Sequence, residues 1–442
     1  MIDDRLAYID QATFLSWEAT GRAQLAQYAW VYERPVDMDA VRRFHRDFGY
    51  GLAGRLIEPS RLPFGRHRWV SALGPAGPLD VAEPRPPGDL GAWIEERSQT
   101  RVDPVHGPGW HLGVLPMTDG TTAITLVVSH CLLDGNASLR AMADAVHGER
   151  RDLGYPAPRS RGPLAAMTSD ARQAARDLPE FLRTVGCAAR FAYRRRGEIS
   201  SSGASRPVTT PASDGEVVMP AVSAIVDARG WDAKAAALGG TTYSLLAGFG
   251  ALLGKRLGRV RPDGTVTTLI AIGDRDGDAD RRANALKIAT ATIDPTDATT
   301  DLAATRQAVR EAFAVVRNTT DETHALLPIT PYVPKRAVRR TADVLFGDLP
   351  VSCSNLGEVP PDMARPDGAD ATYVLFRPAD QCVSRAALER NGGQLVLAAG
   401  RVVDTVSIGV IGYEVGAPNT REWLGECVNR TLAEFDLKAT LI

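Results

Sequence analysis

Ser129-His130-Cys131-Leu132-Leu133-Asp134-Gly135 is the stretch on which the fold turns. It closes an apolar, β-branched run from Thr121 to Val128 and precedes a helix-like segment, Ala137 to Val146. A strand ending in His, a short Asp-Gly loop and a helix hold an imidazole on a fixed backbone with its ring free to face a cavity. Gly135 suits a backbone position with few steric limits, and Asp134 is placed to satisfy the first free amides of the helix. His130 is the natural general base for taking a proton from a hydroxyl or amine. The plainer alternative is a hydrogen-bonded histidine that only serves the strand end. Neighbouring residues at a strand end point to opposite faces, so Cys131 diverges from His130 and reads as a small buried hydrophobe.

Working outward, Trp110 to Leu115 and Thr121 to Ser129 are two strand-like runs separated by Pro116 to Gly120, and the Asp-Gly in that gap predicts a hairpin. Further upstream, Ile9 to Trp17 reads as a short helix or loop and Gln24 to Tyr32 as a strand. Asp37 or Asp39 caps a helix that runs through Phe48, with Val41, Phe44 and Phe48 at helical spacing. A strand around Arg68 to Ala72 and a helix over Leu90 to Ser98 complete the first half. Met167 to Arg195 holds one or two helices. Gly197 to Gly215, dense in Ser, Thr, Gly and Pro, is the best linker in the chain. The second half has a similar inventory: strands at Val217 to Asp227, Val266 to Ile272, Leu286 to Ile293, Val351 to Ser354, Leu395 to Ala399 and Val406 to Tyr413. Helices are expected over Thr241 to Leu257, Leu302 to Arg317 and Thr420 to Leu437. The mixed order points to two α/β layers of similar size.

A chain of 442 residues exceeds one ordinary core, so two domains or two halves of a pseudo-dimer are expected. The boundaries fall as 1–196, a linker over 197–215, and 216–442. A hydrophobic share of 44% and a charged share of 24% are those of a globular protein. The formal net charge of −2 gives no global attraction to nucleic acid or to an anionic membrane, so neither is an expected partner beyond peripheral membrane contact. Five scattered cysteines without a C-x-x-C pair make a reducing cytoplasm the expected home. The start, MIDDRLAYIDQATFL, has no basic region followed by an apolar run, so it is not read as a signal peptide.

Other chemistries find little support. No G-x-S-x-G elbow and no glycine-rich phosphate loop is present. His106 and His111 lie five apart without an evident third ligand, so no metal is expected. Gly273 to Asp278 lacks the glutamate and spacing of a calcium loop. Arg183, Arg190, Arg194, Arg195 and Arg196, interleaved with Phe181, Phe191 and Tyr193, suit an anionic surface, a carrier protein or coenzyme A phosphates. A solvated helix end is the blander reading.

Together these residues resemble a family. Ser129 to Gly135 is similar to the H-H-x-x-x-D-G core of the condensation-type acyltransferases, with the first His replaced by Ser129. That superfamily includes peptide-synthetase condensation domains, polyketide-associated acyltransferases and the bacterial wax-ester synthases/diacylglycerol acyltransferases. Ile9 to Leu15 is similar to the last group's opening L-D-x-x-F-L. Val102-Asp103-Pro104 through Gly109-Trp110-His111-Leu112 is similar to its D-x-x-x-P-x-W stretch. Ile270 to Asn284 resembles its P-V-x-x-R…G-N segment, with Arg275 and Asn284 at the matching positions. Val351 to Gly357 resembles its V-S-N-x-x-G strand end. The matches follow the family's order along nearly the whole chain.

The resemblance implies an α/β fold of two chloramphenicol-acetyltransferase-like sandwich subdomains that form a pseudo-dimer with a tunnel between them. It implies an acyl thioester, on coenzyme A or an acyl carrier protein, as co-substrate with no bound cofactor, and a small-molecule acceptor. The expected reaction is ester formation in lipid or secondary-metabolite biosynthesis by a monomeric acyltransferase. An amide-forming enzyme with an amine acceptor and an inactive carrier-binding homologue are the alternatives. His130 matches the catalytic His. Asp134 matches a mainly structural Asp that pairs with an Arg, for which Arg275 is the expected partner. Gly135 leaves room at the tunnel wall, and Asn355 with Ser354 approaches the substrate from the second half. Ser129 is the one departure.

Overall fold

The computed structural model describes residues 3–194, 215–318, 325–336 and 349–442. The first half runs α1 (Tyr8–Thr20), β1 (Ala23–Tyr32), α2 (Met38–Phe48), β2 (Arg55–Glu58), β3 (Arg68–Ser71), β4 (Asp80–Val81), α3 (Leu90–Ser98), β5 (Trp110–Pro116), β6 (Thr122–Ser129), α4 (Gly135–Val146) and α5 (Pro163–Arg194). The second runs β7 (Ala221–Asp227), α6 (Ala228–Ala237), α7 (Thr242–Arg256), β8 (Val266–Gly273), β9 (Leu286–Ile293) and α8 (Ala303–Asn318). It closes with β10 (Val351–Glu358), β11 (Tyr373–Gln381), α9 (Arg385–Arg390), β12 (Gln394–Val402), β13 (Thr405–Tyr413), α10 (Arg421–Glu434) and β14 (Ala439–Leu441).

The largely apolar, β-branched run of β6 becomes the central strand of a five-stranded sheet ordered β11-β1-β6-β5-β4, buried along its whole length. Its hairpin with β5 pairs Trp110 with Val128 and Pro116 with Thr122, as the Asp119-Gly120 turn predicts. Asp37 caps α2 by accepting from the amides of Asp39 and Ala40. Val41, Phe44 and Phe48 from that helix pack with Trp30, Trp69 and Trp110 in the first core.

The second half forms a seven-stranded mixed sheet, β14-β7-β13-β12-β10-β8-β9, in which β10 runs parallel to both neighbours. One face carries the second core, closed by Trp231, Phe249, Leu302 and Leu432 from α6, α7, the approach to α8, and α10. The other face turns toward the first half. No single helix is long and apolar enough to cross a membrane among the described residues.

The two halves are joined by a strand that the sequence reading did not assign. β11 leaves the second half and pairs antiparallel with β1, Phe376 opposite Tyr28, at the edge of the first sheet. Gly409 on β13 makes this crossing possible: a Cβ there would sit 2.0 Å from the carbonyl oxygen of Phe376, a backbone atom that cannot yield. Met167 to Arg195 is one helix to Arg194. The linker stretch lies outside the described residues except for Gly215.

Candidate active site

Strand β6 ends at Ser129, and the next residue, His130, stands half-buried on the wall of a cavity of about 440 Å³ between the halves. The first half contributes Gln24, Ala26 and Tyr28 of β1, with Phe376 and Pro378 of the crossover strand. The second half contributes alternate residues of its uncovered sheet face: Leu269 and Ala271 of β8, Ser352 and Ser354 of β10, Val396 and Ala398 of β12. Most of this lining is apolar, with a few polar groups around His130, as in small-molecule sites generally.

His130 is held from the second half. Its Nδ1 lies 2.8 Å from Oδ1 of Asn284, and Nδ2 of Asn284 donates to the carbonyl oxygen of His130 at 3.1 Å. A carbonyl oxygen only accepts, so it fixes which end of the amide is Nδ2. Oδ1 then faces Nδ1, and the neutral ring carries its proton on Nδ1. Nε2 is left with the lone pair.

The loop bearing Asn284 is itself pinned. The Asp10 carboxylate of α1 accepts from the backbone amides of Ala283, at 2.9 Å, and Asn284, at 2.8 Å. Asp10 is fully buried, and that burial pushes its carboxyl up to about 6 against the opposing pull of the two amides and Arg55. Arg55 is also fully buried. Its guanidinium donates to the carbonyl oxygens of Arg281, at 2.6 Å, and Leu132, at 3.1 Å, and lies over the Trp69 ring at 3.8 Å. One cation thus ties the His130 loop to the Asn284 loop.

Asp134 caps α4 by accepting from the Ala137 amide at 2.7 Å. Its carboxylate also accepts from the Ala285 amide at 2.7 Å. Arg275, its expected partner, reaches both carboxylate oxygens through Nη2 at 3.0 Å. The pair is buried and crosses between the halves, a geometry in which every carboxylate contact is specified. Gly135 has an ordinary backbone and is needed for space instead. A Cβ there would stand 2.6 Å from Cδ2 of Leu356 on β10.

Ser354 and Asn355 line the same cavity. The β10–β12 ladder slips between Asn355 and Glu358, where Asn355 Oδ1 accepts from the Gly357 amide at 2.9 Å. Its Nδ2 is buried without a hydrogen-bond partner among the described residues. Ser129 is not among the cavity-lining residues. Buried at 2% exposure, its hydroxyl accepts from the Cys131 amide at 3.3 Å and stiffens the turn after the strand. Cys131 sits in the first core, where burial pushes its thiol up to about 12, leaving it unreactive. His106 and His111 lie apart from the cavity, against Asp103 and Asp80.

Sequence reading missed Arg55 altogether and gave Asp10 and Asn284 no role. Both stand at positions that match the family's segments, Asp10 in Ile9 to Leu15 and Asn284 at the end of Ile270 to Asn284, but those matches say nothing of what the side chains hold. The bonds of Asn284 to His130 span 154 residues, so their partner cannot be read locally.

No family model and no curated protein matches the chain. Solved structures do. The wax ester synthase/diacylglycerol acyltransferase from Marinobacter aquaeolei VT8 is similar at 14% identity over 98% of both chains, with a TM-score of 0.57. The first condensation domain of the calcium-dependent antibiotic synthetase, in complex with a substrate analogue, is similar at 14% identity over 99% of this chain and 98% of that one, with a TM-score of 0.59. The nonribosomal peptide synthetase FmoA3 matches 97% of this chain with 44% of its own, at 16% identity and a TM-score of 0.52. The chain therefore has the fold of the condensation-type acyltransferases, two chloramphenicol-acetyltransferase-like halves joined face to face.

Proposed function

We propose that the protein transfers an acyl group from a thioester to an acceptor hydroxyl, with His130 as the general base. The observation that carries this reading is the Asn284 clamp, which places the imidazole proton on Nδ1 and leaves Nε2 as a base on a cavity open to both halves. Nε2 takes the hydroxyl proton as the acceptor oxygen attacks the thioester carbonyl. The tetrahedral intermediate collapses with cleavage of the C–S bond, and the proton passes from Nε2 to the departing sulfur. The unpartnered Nδ2 of Asn355 is the donor suited to the developing oxyanion or to the acceptor. Asp134 and Arg275 hold the loop and do no chemistry.

The donor is an acyl group on coenzyme A or on a carrier-protein phosphopantetheine. Both present the same thioester, and no resident cofactor is invoked. An amine acceptor would use the same base, so acceptor identity is read from products. The test incubates purified protein with acyl-coenzyme A and acyl-carrier thioesters against alcohols and amines in parallel, following free thiol and product. Ester formation with thiol release supports the reading; absence of thiol release across the panel overturns it.

A further inference from the structure

Helix α5 runs for 32 residues along the first half, and only one side of it is docked. On that side Asp170 is buried among Arg161, at 2.9 Å, the Ser60 hydroxyl, at 2.8 Å, and Arg5, at 3.4 Å. Glu180 accepts from the Tyr8 hydroxyl at 3.0 Å, and Phe181 packs against Tyr332 with ring centroids 4.1 Å apart.

The outward side has a different composition. Leu164, Met167, Leu178, Leu182 and Val185 are exposed by 42% to 79% and recur at spacings of three, eleven, four and three, which keep them on one helical face. Ala171 and Ala175, also exposed, fill the intervening turns. They form one apolar stripe about 30 Å long. Five of the fifteen exposed large hydrophobic side chains among the described residues lie on this single helix, so the stripe is not scattered surface noise. Beside it, about a third of a turn round the helix, runs a row of exposed arginines, Arg172, Arg176 and Arg183. Of the helix's acidic residues, Asp170 and Asp177 lie on the docked side, and Glu180, exposed beyond the arginine row, is held by the Tyr8 hydroxyl. In sequence the basic series continues with Arg190, Arg194, Arg195 and Arg196, and no acidic residue follows before Glu198.

We propose that this face of α5 is a docking surface for an anionic lipid bilayer, with the apolar stripe set at the headgroup–acyl boundary and the arginine row against lipid phosphates and carboxylates. A long apolar stripe with cations on one flank and no anion within it matches a charged interface. A second copy of the chain brings the same arginine row, and the one exposed acid on this helix, Glu180, is already held by the Tyr8 hydroxyl. An acidic carrier protein matches the arginines but leaves most of a 30 Å apolar stripe uncovered. The surface is independent of the acyl-transfer reading.

The test uses the full chain and sucrose-loaded vesicles, either pure phosphatidylcholine or phosphatidylcholine with about a third phosphatidylserine. Sedimentation should show at least about tenfold tighter binding to the anionic vesicles, weakened by raised salt. Leu178→Ser with Leu182→Ser, and separately Arg172→Gln with Arg176→Gln and Arg183→Gln, should each reduce binding about tenfold or more with the melting temperature little changed. Equal binding to both vesicle types, no binding, or binding that neither variant alters would overturn the proposal. So would variants that abolish only self-association or only capture of an acidic carrier protein.

Discussion

Nδ1 of His130 sits 2.8 Å from Oδ1 of Asn284, and the same amide returns a hydrogen bond to the His130 carbonyl. The two residues are 154 positions apart and belong to different halves, so the state of the base depends on how those halves are joined. Asn284→Ala leaves the ring free to rotate and to take the other tautomer. We expect kcat to fall by about 10- to 10²-fold, part of what a general base contributes, with KM nearly unchanged. Steady-state kinetics with a saturating thioester check this; an equal rise in KM alone would assign Asn284 to binding.

Asp10 makes the clamp sensitive to pH. Protonation as pH falls through about 6 removes an acceptor from one of the two amides it holds. Below pH 6 the logarithm of kcat/KM should therefore fall more steeply in the wild type than in Asp10→Asn, whose side chain is neutral at every pH. Stability runs the other way. Because the folded state raises this carboxyl above its ordinary 3.8, folding is favoured by acidification from about 6 toward 4, and that gain disappears as pH rises back through 6. A denaturant titration of both proteins across that window reads the sign.

Asp134 is a buried carboxylate that accepts from the Ala137 and Ala285 amides and from Nη2 of the half-buried Arg275, whose Nε has no hydrogen-bond partner among the described residues. Asp134→Ala removes the acceptor of Arg275 Nη2 and of two backbone amides, Ala137 and Ala285, at the junction of the halves. A loss of roughly 3–5 kcal/mol in unfolding free energy is expected, and Asp134→Ala with Arg275→Met should recover part of it. Chemical denaturation measures both. A loss below about 1 kcal/mol would place the pair among those that only decorate a surface.

Gly135→Ala tests the space at the cavity wall. The new methyl meets Cδ2 of Leu356, the far end of a side chain that can rotate toward the cavity. Stability should change by less than about 1.5 kcal/mol, while KM for the bulkier substrate rises. Leu356→Ala in the same protein should restore KM, and a double-mutant cycle on KM detects that coupling.

Much of this architecture is legible locally. The largely apolar, β-branched run of β6, the Asp-Gly turn before it and the cap at Asp37 are signals written within a few residues, and the helices and strands they predict are present. The crossover strand β11 was not legible. Arg377, Pro378 and Asp380 interrupt its apolar pattern, and its partner β1 lies some 350 residues upstream. The site divides the same way. His130, Asp134 and Gly135 announce themselves in one heptapeptide, and the resemblance supplied Arg275. Arg55 acts through carbonyl oxygens, which any residue has, so nothing at positions 132 or 281 marks them as its partners.

The central claim is that Nε2 of His130 removes the acceptor proton. A single-turnover assay of His130→Ala with the best acyl thioester and acceptor tests it most directly. Acyl transfer should slow by roughly 10²–10⁴-fold while the thermal unfolding transition stays in place. A variant that turns over at the wild-type rate would contradict the assignment.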